Sequence, residues 1–207
     1  MTVWGSTTKS YTMSNSIKLL SANCQGLGDY MKRLDVLNYL YQTKCDIFCL
    51  QDTHWTKNDL KKILNIWQGN VFLSGFKTNS RGVAILFKKT FEYSILDTYS
   101  DDSGNLLIID LKTTEMSIKI INIYAPNIDT PSFFRKIVNI IDNNLLDYFL
   151  LCGDFNLVLD PNLDCSNYKN INNPQSRNVL LSSISDGNWK DIFRYLNPTT
   201  KRFTWRR

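Results

Sequence analysis

Short apolar runs that stop abruptly at polar residues recur along the chain. Tyr148–Cys152 (YFLLC) is such a run, and the next four residues are Gly153, Asp154, Phe155 and Asn156. Continuous apolar runs of this length predict buried strands, and unpaired polar groups are costly inside a core. The carboxylate and the amide therefore belong at the end of a strand, where they either begin a loop or face a ligand.

The order strand, helix, strand occurs twice, and its first copy spans residues 17–52. Ile17–Ala22 predicts a strand that runs into Asn23, and Asp46–Leu50 predicts a second strand that runs into Asp52. The helix between them is indicated by apolar residues at helical spacing, namely Leu34, Leu37, Leu40 and Tyr41.

The second copy repeats this plan with almost the same length. Ser117–Ile123 predicts a strand that runs into Tyr124, Pro131 suits the start of a helix, and Tyr148–Cys152 leads to Asp154. The helix has an apolar stripe at Phe134, Ile137, Val138, Ile141 and Leu145. Ligands bind at the carboxyl ends of the strands in sheets that carry helices on their faces. The repeat therefore predicts that five polar residues converge at one edge: Asn23, Asp52, Tyr124, Asp154 and Asn156.

The remaining segments predict hairpins between the two units and helices after them. Strands are indicated at Asn70–Phe76, Arg81–Phe87, Tyr93–Leu96 and Leu106–Leu111, and a last strand fragment at Arg202–Trp205. Helical stretches are indicated at Arg177–Ile184 and Trp189–Leu196. We expect an α/β fold with two packed β-sheets flanked by helices, in one domain of residues 16–207. Residues 1–15 are polar and predict a flexible lead-in.

Composition narrows the class of protein only modestly. The net charge of +5 favours an anionic partner, although such an excess is often a matter of solubility. No apolar run approaches the 18 residues of a membrane span, so we expect no membrane contact. Five cysteines, an odd number, favour reduced thiols inside a cell, and a single histidine makes a structural zinc site unfavourable.

The five convergent residues suit attack on a phosphoryl centre. Asn23 and Asp52 offer the oxygen ligands that Mg²⁺ prefers while it keeps most of its water. Asp154 can orient or deprotonate a water, and Asn156 and Tyr124 can donate hydrogen bonds to a phosphate oxygen.

Each of these residues also has a purely structural interpretation. Asp154 and Asn156 fit an Asx-type turn, Asp52 can cap a helix, and the Tyr124 hydroxyl can lie at the rim of a core. His54 lies two residues after Asp52, and the pattern favours an exposed loop residue over a general base.

Five motifs, taken in the order in which they occur along the chain, support a specific resemblance to a known protein family. They are ANCQGL, CLQDTHW, RGVAILF, INIYAPN and CGDFN. Their order resembles the endonuclease/exonuclease/phosphatase superfamily, and most closely the apurinic-endonuclease-like endonuclease domain of LINE-type (non-LTR) retrotransposons. The resemblance covers about residues 16–207. It implies a four-layer α/β sandwich and a metal-dependent phosphodiesterase that nicks DNA, with Mg²⁺, or alternatively Mn²⁺, as cofactor. It assigns metal binding to Asn23 and Asp52, and nucleophile and phosphate handling to Tyr124, Asp154 and Asn156.

Two features depart from the family pattern. The family's usual acidic metal ligand is glutamate, whereas Asp52 is one methylene shorter. An aspartate–histidine pair normally follows the FTW strand, and the 207 residues contain no such pair. The resemblance therefore implies a C-terminally incomplete domain, without the last strand of the family fold, that cuts DNA poorly. Two alternatives stay open: an inactive nucleic-acid-binding remnant, or a phosphatase or phosphodiesterase of the same superfamily that acts on another substrate.

The partner implied by the resemblance is DNA, with a reverse transcriptase domain in the parent polyprotein. Candidate DNA-binding residues are Arg33, Lys77, Arg81, Thr204 and Arg206. For any one of the four basic residues, a solvated surface charge is the competing interpretation. We expect an intracellular, nuclear monomer.

Overall fold

Two β-sheets pack face to face in the computed structural model, which describes residues 2–6 (backbone only), 16–166, 172–187 and 189–203. The larger sheet has six strands in the order β10-β1-β9-β8-β7-β6, and the smaller has four in the order β2-β3-β5-β4. The strands of the larger sheet are β1 Thr2–Ser6, β6 Ser94–Ser100, β7 Leu106–Lys112, β8 Ser117–Tyr124, β9 Tyr148–Asp154 and β10 Trp189–Asp191. Those of the smaller sheet are β2 Leu19–Asn23, β3 Ile47–Gln51, β4 Val71–Ser74 and β5 Val83–Phe87.

Helices cover the outer faces of both sheets. They are α1 Tyr30–Gln42, α2 Leu60–Leu64, α3 Pro131–Asp142, α4 Pro161–Asp164, α5 Pro174–Asp186 and α6 Ile192–Leu196, with a 3-10 turn at Lys57–Asp59. The Asp29 side chain caps α1 by accepting a hydrogen bond from the Lys32 N–H, and Pro131 occupies the first turn of α3, where its missing N–H costs nothing. No helix within the described residues is long and apolar enough to cross a membrane.

Three apolar clusters separate four layers. One lies between the sheets and joins Ile47, Ile85, Leu107 and Ile120 among others. A second packs α1 and α2 on the small sheet through Leu37 and Ile63. The third packs α3 and α5 on the large sheet through Phe134, Ile137 and Leu180. The expected sandwich of two sheets with helices outside is confirmed.

The repeated unit is also confirmed. In each copy the two strands are parallel and directly paired, β2 with β3 and β8 with β9. Asn23 pairs in register with Gln51, and Tyr124 pairs with Asp154. Both copies therefore deliver their polar residues at the carboxyl ends of their strands.

The predicted flexible lead-in at residues 1–15 is wrong for Thr2–Ser6. These residues form β1, which pairs antiparallel with both β9 and β10. The partners lie more than a hundred residues away in the sequence. A local pattern cannot reveal such pairing, because strand formation depends on the neighbours across the sheet.

Other boundaries differ from the sequence predictions at element ends. Leu145 is 97% exposed, because α3 ends at Asp142. Tyr41 is also exposed, at the end of α1. The segment Trp189–Leu196 divides into β10 and α6. Residues 202 and 203 are not in a strand, and the rest of that predicted fragment lies outside the described residues.

A fully buried amide connects the two sheets. Asn122 in β8 donates from Nδ2 to the backbone oxygens of Leu50 at 3.0 Å and Ala84 at 2.9 Å, in β3 and β5. Its Oδ1 accepts from Gln51 Nε2 at 2.7 Å. The Gln51 amide also donates to the Ser21 hydroxyl at 3.0 Å. Since a buried polar group is tolerated only when it is paired, this network fixes the two sheets relative to each other.

Replacing Asn122 with leucine should destabilise the fold strongly. The change removes the hydrogen bonds that Asn122 makes to two backbone carbonyls and to the Gln51 amide inside the core. Each buried group that is left unpaired costs about 1–3 kcal/mol. We expect a loss of about 3 kcal/mol in the free energy of unfolding, measured by urea denaturation. Asn38→Leu on the exposed face of α1 is the matched control, with an expected change within about 0.5 kcal/mol. Equal effects of the two substitutions would contradict the bridging role of Asn122.

Candidate active site

The backbone geometry at Gly153 explains why a glycine precedes the polar residues at the end of β9. Its φ is +140°, and a Cβ there would lie 2.0 Å from the backbone oxygen of Ile123 in β8. Only glycine permits this approach. The close contact carries Asp154 to the position beside Tyr124, its partner in the strand register.

A hydrogen bond joins the ends of the two repeated units. Asn23 Nδ2 donates to Asp154 Oδ2 at 2.7 Å, and the Oδ1 of Asn23 accepts from the Gln25 N–H. The other Asp154 oxygen accepts from the Asn156 N–H at 3.0 Å. Each carboxylate oxygen has further acceptor capacity for water. The predicted convergence of Asn23 with Asp154 is thus a direct contact.

The charges of both predicted carboxylates, Asp52 and Asp154, act on Tyr124. Burial raises the pKa of its phenol, and the charges of Asp52 and Asp154 raise that pKa further, while Arg81 lowers it. Its backbone is held by Asn105, which accepts the Tyr124 N–H through its own backbone oxygen and donates from its side chain to the Tyr124 carbonyl. The hydroxyl therefore stays protonated and can donate to an anionic ligand at neutral pH.

Asp52 reaches the same edge through an unusual backbone conformation. Its φ is +51°, just beyond the end of β3, and its side chain is 18% exposed. The Asp52 carboxylate contacts His54, with Nε2 of the imidazole 3.1 Å from Oδ1. His54 lies in a loop, as expected, but its side chain is only 25% exposed rather than fully solvated. No pattern along the sequence indicated where this imidazole would point.

Asn156 supports the neighbouring loop. Its φ is +48°, and its Nδ2 donates to the Ala125 backbone oxygen at 2.7 Å. The amide therefore holds the segment that follows Tyr124, and one of its two N–H groups already has a protein acceptor.

A groove of about 430 Å³ runs past these residues. Its wall contains three predicted site residues, Asp52, Arg81 and Tyr124, together with others that include His54, Asn79, Asn105 and Asn127. A larger groove of about 680 Å³ lies between α3 and α5, and it contains none of the predicted site residues. We place the chemistry in the smaller groove, because the perturbed phenol of Tyr124 and the carboxylate of Asp52 both line it.

The donor set suits a hard, largely hydrated cation. Asp52 supplies a carboxylate and Asn23 an amide oxygen, and Mg²⁺ commonly takes one or two protein carboxylates and keeps its remaining waters. Within the described part of the chain, no three side chains of the histidine, cysteine, aspartate and glutamate classes form a metal-binding group. Burial raises the pKa of the nearby Cys24 to about 12, so this thiol is neither a thiolate ligand nor a nucleophile at neutral pH.

The candidate DNA-binding residues separate into three groups. Arg33 is buried and donates to the backbone oxygens of Leu27 and Gly28, so its predicted contact with DNA is wrong. Lys77 and Arg81 are exposed, and their charged ends lie 5.0 and 4.9 Å from the centre of the Phe76 ring. The predicted contacts at Thr204 and Arg206 lie outside the described residues.

Comparison with known proteins identifies similar chains. The profile of the Endonuclease/Exonuclease/phosphatase family matches residues 20–207. The "Transposon TX1 uncharacterized 149 kDa protein" of Xenopus laevis is 29% identical over an alignment of 203 positions that covers 93% of this chain. The chain spans only 15% of the length of that transposon protein.

Two solved structures show a similar fold. The catalytic domain of Xenopus laevis APE2 superposes with a TM-score of 0.72 at 21% identity, over 89% of this chain and 74% of the other. The endonuclease domain of TRAS1, a telomere-specific non-LTR retrotransposon, gives a TM-score of 0.56 at 17% identity, over 80% and 71%.

Gly153→Ala should destabilise the protein by at least about 2 kcal/mol, because the new methyl group meets backbone in a conformation that L-residues disfavour. Urea denaturation measures the change. Gly28→Ala is the matched control, since a Cβ at that position meets only Asn79 Oδ1, at an ordinary 3.6 Å. We expect its effect to be within about 0.5 kcal/mol. A mild effect at Gly153 would show that β8 and β9 are not packed this closely.

The titration of Tyr124 provides a second test of the site. Because the pKa of Tyr124 is raised in the folded protein, this phenol ionises at lower pH in the unfolded chain than in the folded one. The contribution of Tyr124 to the free energy of unfolding is therefore lost as the pH rises past the ordinary value of 10.0. The difference in absorbance at 295 nm between the wild type and Tyr124→Phe isolates this titration. We expect its midpoint above 10, shifted down in Asp52→Asn and further up in Arg81→Gln. Asp142→Asn, on the exposed end of α3, should leave it unchanged, and an unshifted midpoint in Asp52→Asn would remove Asp52 from the site.

Proposed function

The chain belongs to the endonuclease/exonuclease/phosphatase family, and on that premise we propose that it is a divalent-metal-dependent phosphodiesterase that nicks DNA as the endonuclease domain of a retrotransposon. The observation that carries this proposal is the contact of Asn23 with Asp154, which unites the ends of the two repeated units beside Asp52 and Tyr124. The similarity to a transposon protein and to a retrotransposon endonuclease supports the biological setting.

The roles follow from the chemistry of the side chains. Asn23 and Asp52 hold the cation, which would supply positive charge to the scissile phosphate. Asp154 orients the attacking water and accepts its proton, while the amide of Asn23 fixes that carboxylate in place. Tyr124 donates its hydroxyl to a phosphate oxygen. Asn156 positions the loop after Tyr124 through Ala125 and presents its second N–H to the phosphate.

The net charge of +5 supports a second candidate function, a nucleic-acid-binding domain without catalysis. We further propose that the domain acts as a nuclear monomer, with a reverse transcriptase domain in its parent polyprotein.

Nicking of supercoiled plasmid by residues 1–207 tests the main proposal. We expect conversion to the open circle with Mg²⁺ and none with EDTA. Asp154→Ala should lower the rate by at least about 100-fold, because the water loses its orienting base. The rate is measured from the fraction of supercoiled DNA over time on agarose gels.

Asp142→Ala is the control for that experiment, since this exposed carboxylate at the end of α3 lies outside the groove and should leave the rate unchanged. Nicking that survives in Asp154→Ala would contradict the proposed role of that residue. DNA retention without any turnover in the folded wild type would favour the non-catalytic alternative, and turnover restricted to phosphorylated small molecules would favour another substrate class.

Lys77 provides a test of DNA contact outside the groove. Neutralising one phosphate contact reduces the slope of log affinity against log salt by about 0.9. We expect Lys77→Ala to lower the slope by about that amount and to weaken binding without changing sequence preference, measured by fluorescence anisotropy with labelled duplex at several salt concentrations. Lys112→Ala, at the opposite end of β7 from Asn105, should leave the slope as in the wild type. Matching slopes for all three proteins would exclude a phosphate contact at Lys77.

A further inference from the structure

Asp52 and His54 form a closely held pair that the proposed reaction does not fully use. Both residues adopt positive φ angles, +51° and +59°, and both side chains line the groove. Such backbone conformations persist only where the surrounding structure enforces them, and they concentrate at functional sites. The pair therefore warrants an explanation beyond that of a loop.

The surrounding backbone clamps this segment from two sides. The Gly26 N–H donates to the Asp52 oxygen at 2.7 Å, and the His54 N–H donates to the Arg81 oxygen at 2.7 Å. Thr53 between them is buried. A Cβ at Gly26 would lie 2.7 Å from Nδ1 of His54, and a Cβ at Gly82 would lie 2.7 Å from the Thr53 hydroxyl oxygen. Gly26 thus leaves the space in which the imidazole is held against Asp52, and Gly82 leaves the space for the buried Thr53 between them.

The spacing of the two polar atoms matches that of neighbouring metal ligands. Adjacent ligands in an octahedron with metal–ligand distances of about 2.1 Å lie about 3.0 Å apart. His54 Nε2 and Asp52 Oδ1 lie 3.1 Å apart. Building on the proposed metal-dependent function, we propose that His54 is itself a metal ligand through Nε2, beside Asp52, and that it makes the site prefer a first-row transition-metal ion to Mg²⁺.

The preference follows from ligand chemistry. Carboxylate, amide and water oxygens suit Mg²⁺, whereas an imidazole nitrogen favours transition metals. A rigid carboxylate–imidazole pair needs little reorganisation to accept such an ion, because its geometry is set before binding. The alternative is that the 3.1 Å contact is only a hydrogen bond between the two side chains.

The single histidine of the chain allows a direct test. We would label the untagged protein with ¹⁵N-histidine and record pulsed electron paramagnetic resonance spectra with Mn²⁺ bound. A histidine ¹⁵N hyperfine coupling in this sample can arise only from His54. We expect the coupling of a directly coordinated imidazole, and its loss in His54→Gln.

Affinity measurements provide the second readout. His54→Gln should weaken Mn²⁺ binding by about tenfold or more, since even the loss of an outer-shell partner lowers metal affinity by 10–100-fold, and should change Mg²⁺ binding by less than about threefold. Asp142→Asn is the control and should alter neither. Both affinities come from titration calorimetry and from competition between the two ions.

The outcomes separate this inference from the proposed function. Bound Mn²⁺ without a histidine coupling would overturn the inference, and Mg²⁺-dependent nicking in the same preparation would leave the phosphodiesterase proposal standing. An equal loss of affinity for Mn²⁺ and Mg²⁺ in His54→Gln would overturn the proposed preference for transition-metal ions and would assign His54 a structural role. Failure to bind Mn²⁺ together with failure to nick with Mg²⁺ would contradict both proposals.

Discussion

The amide of Asn122 is the constraint on which the site depends. It is fully buried between the sheets, donates to one carbonyl in β3 and one in β5, and accepts from Gln51. Asn122 lies two residues before Tyr124, and Gln51 directly precedes Asp52. Because apolar packing alone allows sheets to slide whereas paired polar groups have defined partners, the bridge sets the position of Tyr124 relative to Asp52.

The chemistry of the groove is a consequence of that alignment. Two units of the same design end at one edge, and the contact of Asn23 with Asp154 connects them. The carboxylates bring negative charge near a phenol that remains protonated, and the two exposed candidate DNA-binding residues, Lys77 and Arg81, lie beside Phe76. An anionic substrate that brings or shares a cation fits this distribution of charge better than a neutral one does. The family to which the chain belongs is consistent with that conclusion.

The sequence predicted the parts of the fold that local patterns encode. The two repeated units, their lengths and the convergence of their terminal residues followed from apolar runs and from the positions of Asn23, Tyr124 and Asp154. Three features did not follow: the strand at Thr2–Ser6, the burial of Arg33 and the contact of His54 with Asp52. Each depends on partners distant in sequence or on a positive φ, and neither leaves a periodic signal. Polar residues inside strands, such as Asn122, were the available hint of the bridge.

The most direct measurement is a double-mutant cycle of Asn23→Ala and Asp154→Ala on the free energy of unfolding, made in the wild-type background and again in Asn122→Leu. We predict a coupling energy of about 1 kcal/mol in the wild type, as for a net hydrogen bond, and close to zero in Asn122→Leu, because the units no longer align. The same coupling in both backgrounds would show that the edge assembles without the bridge and would contradict the account.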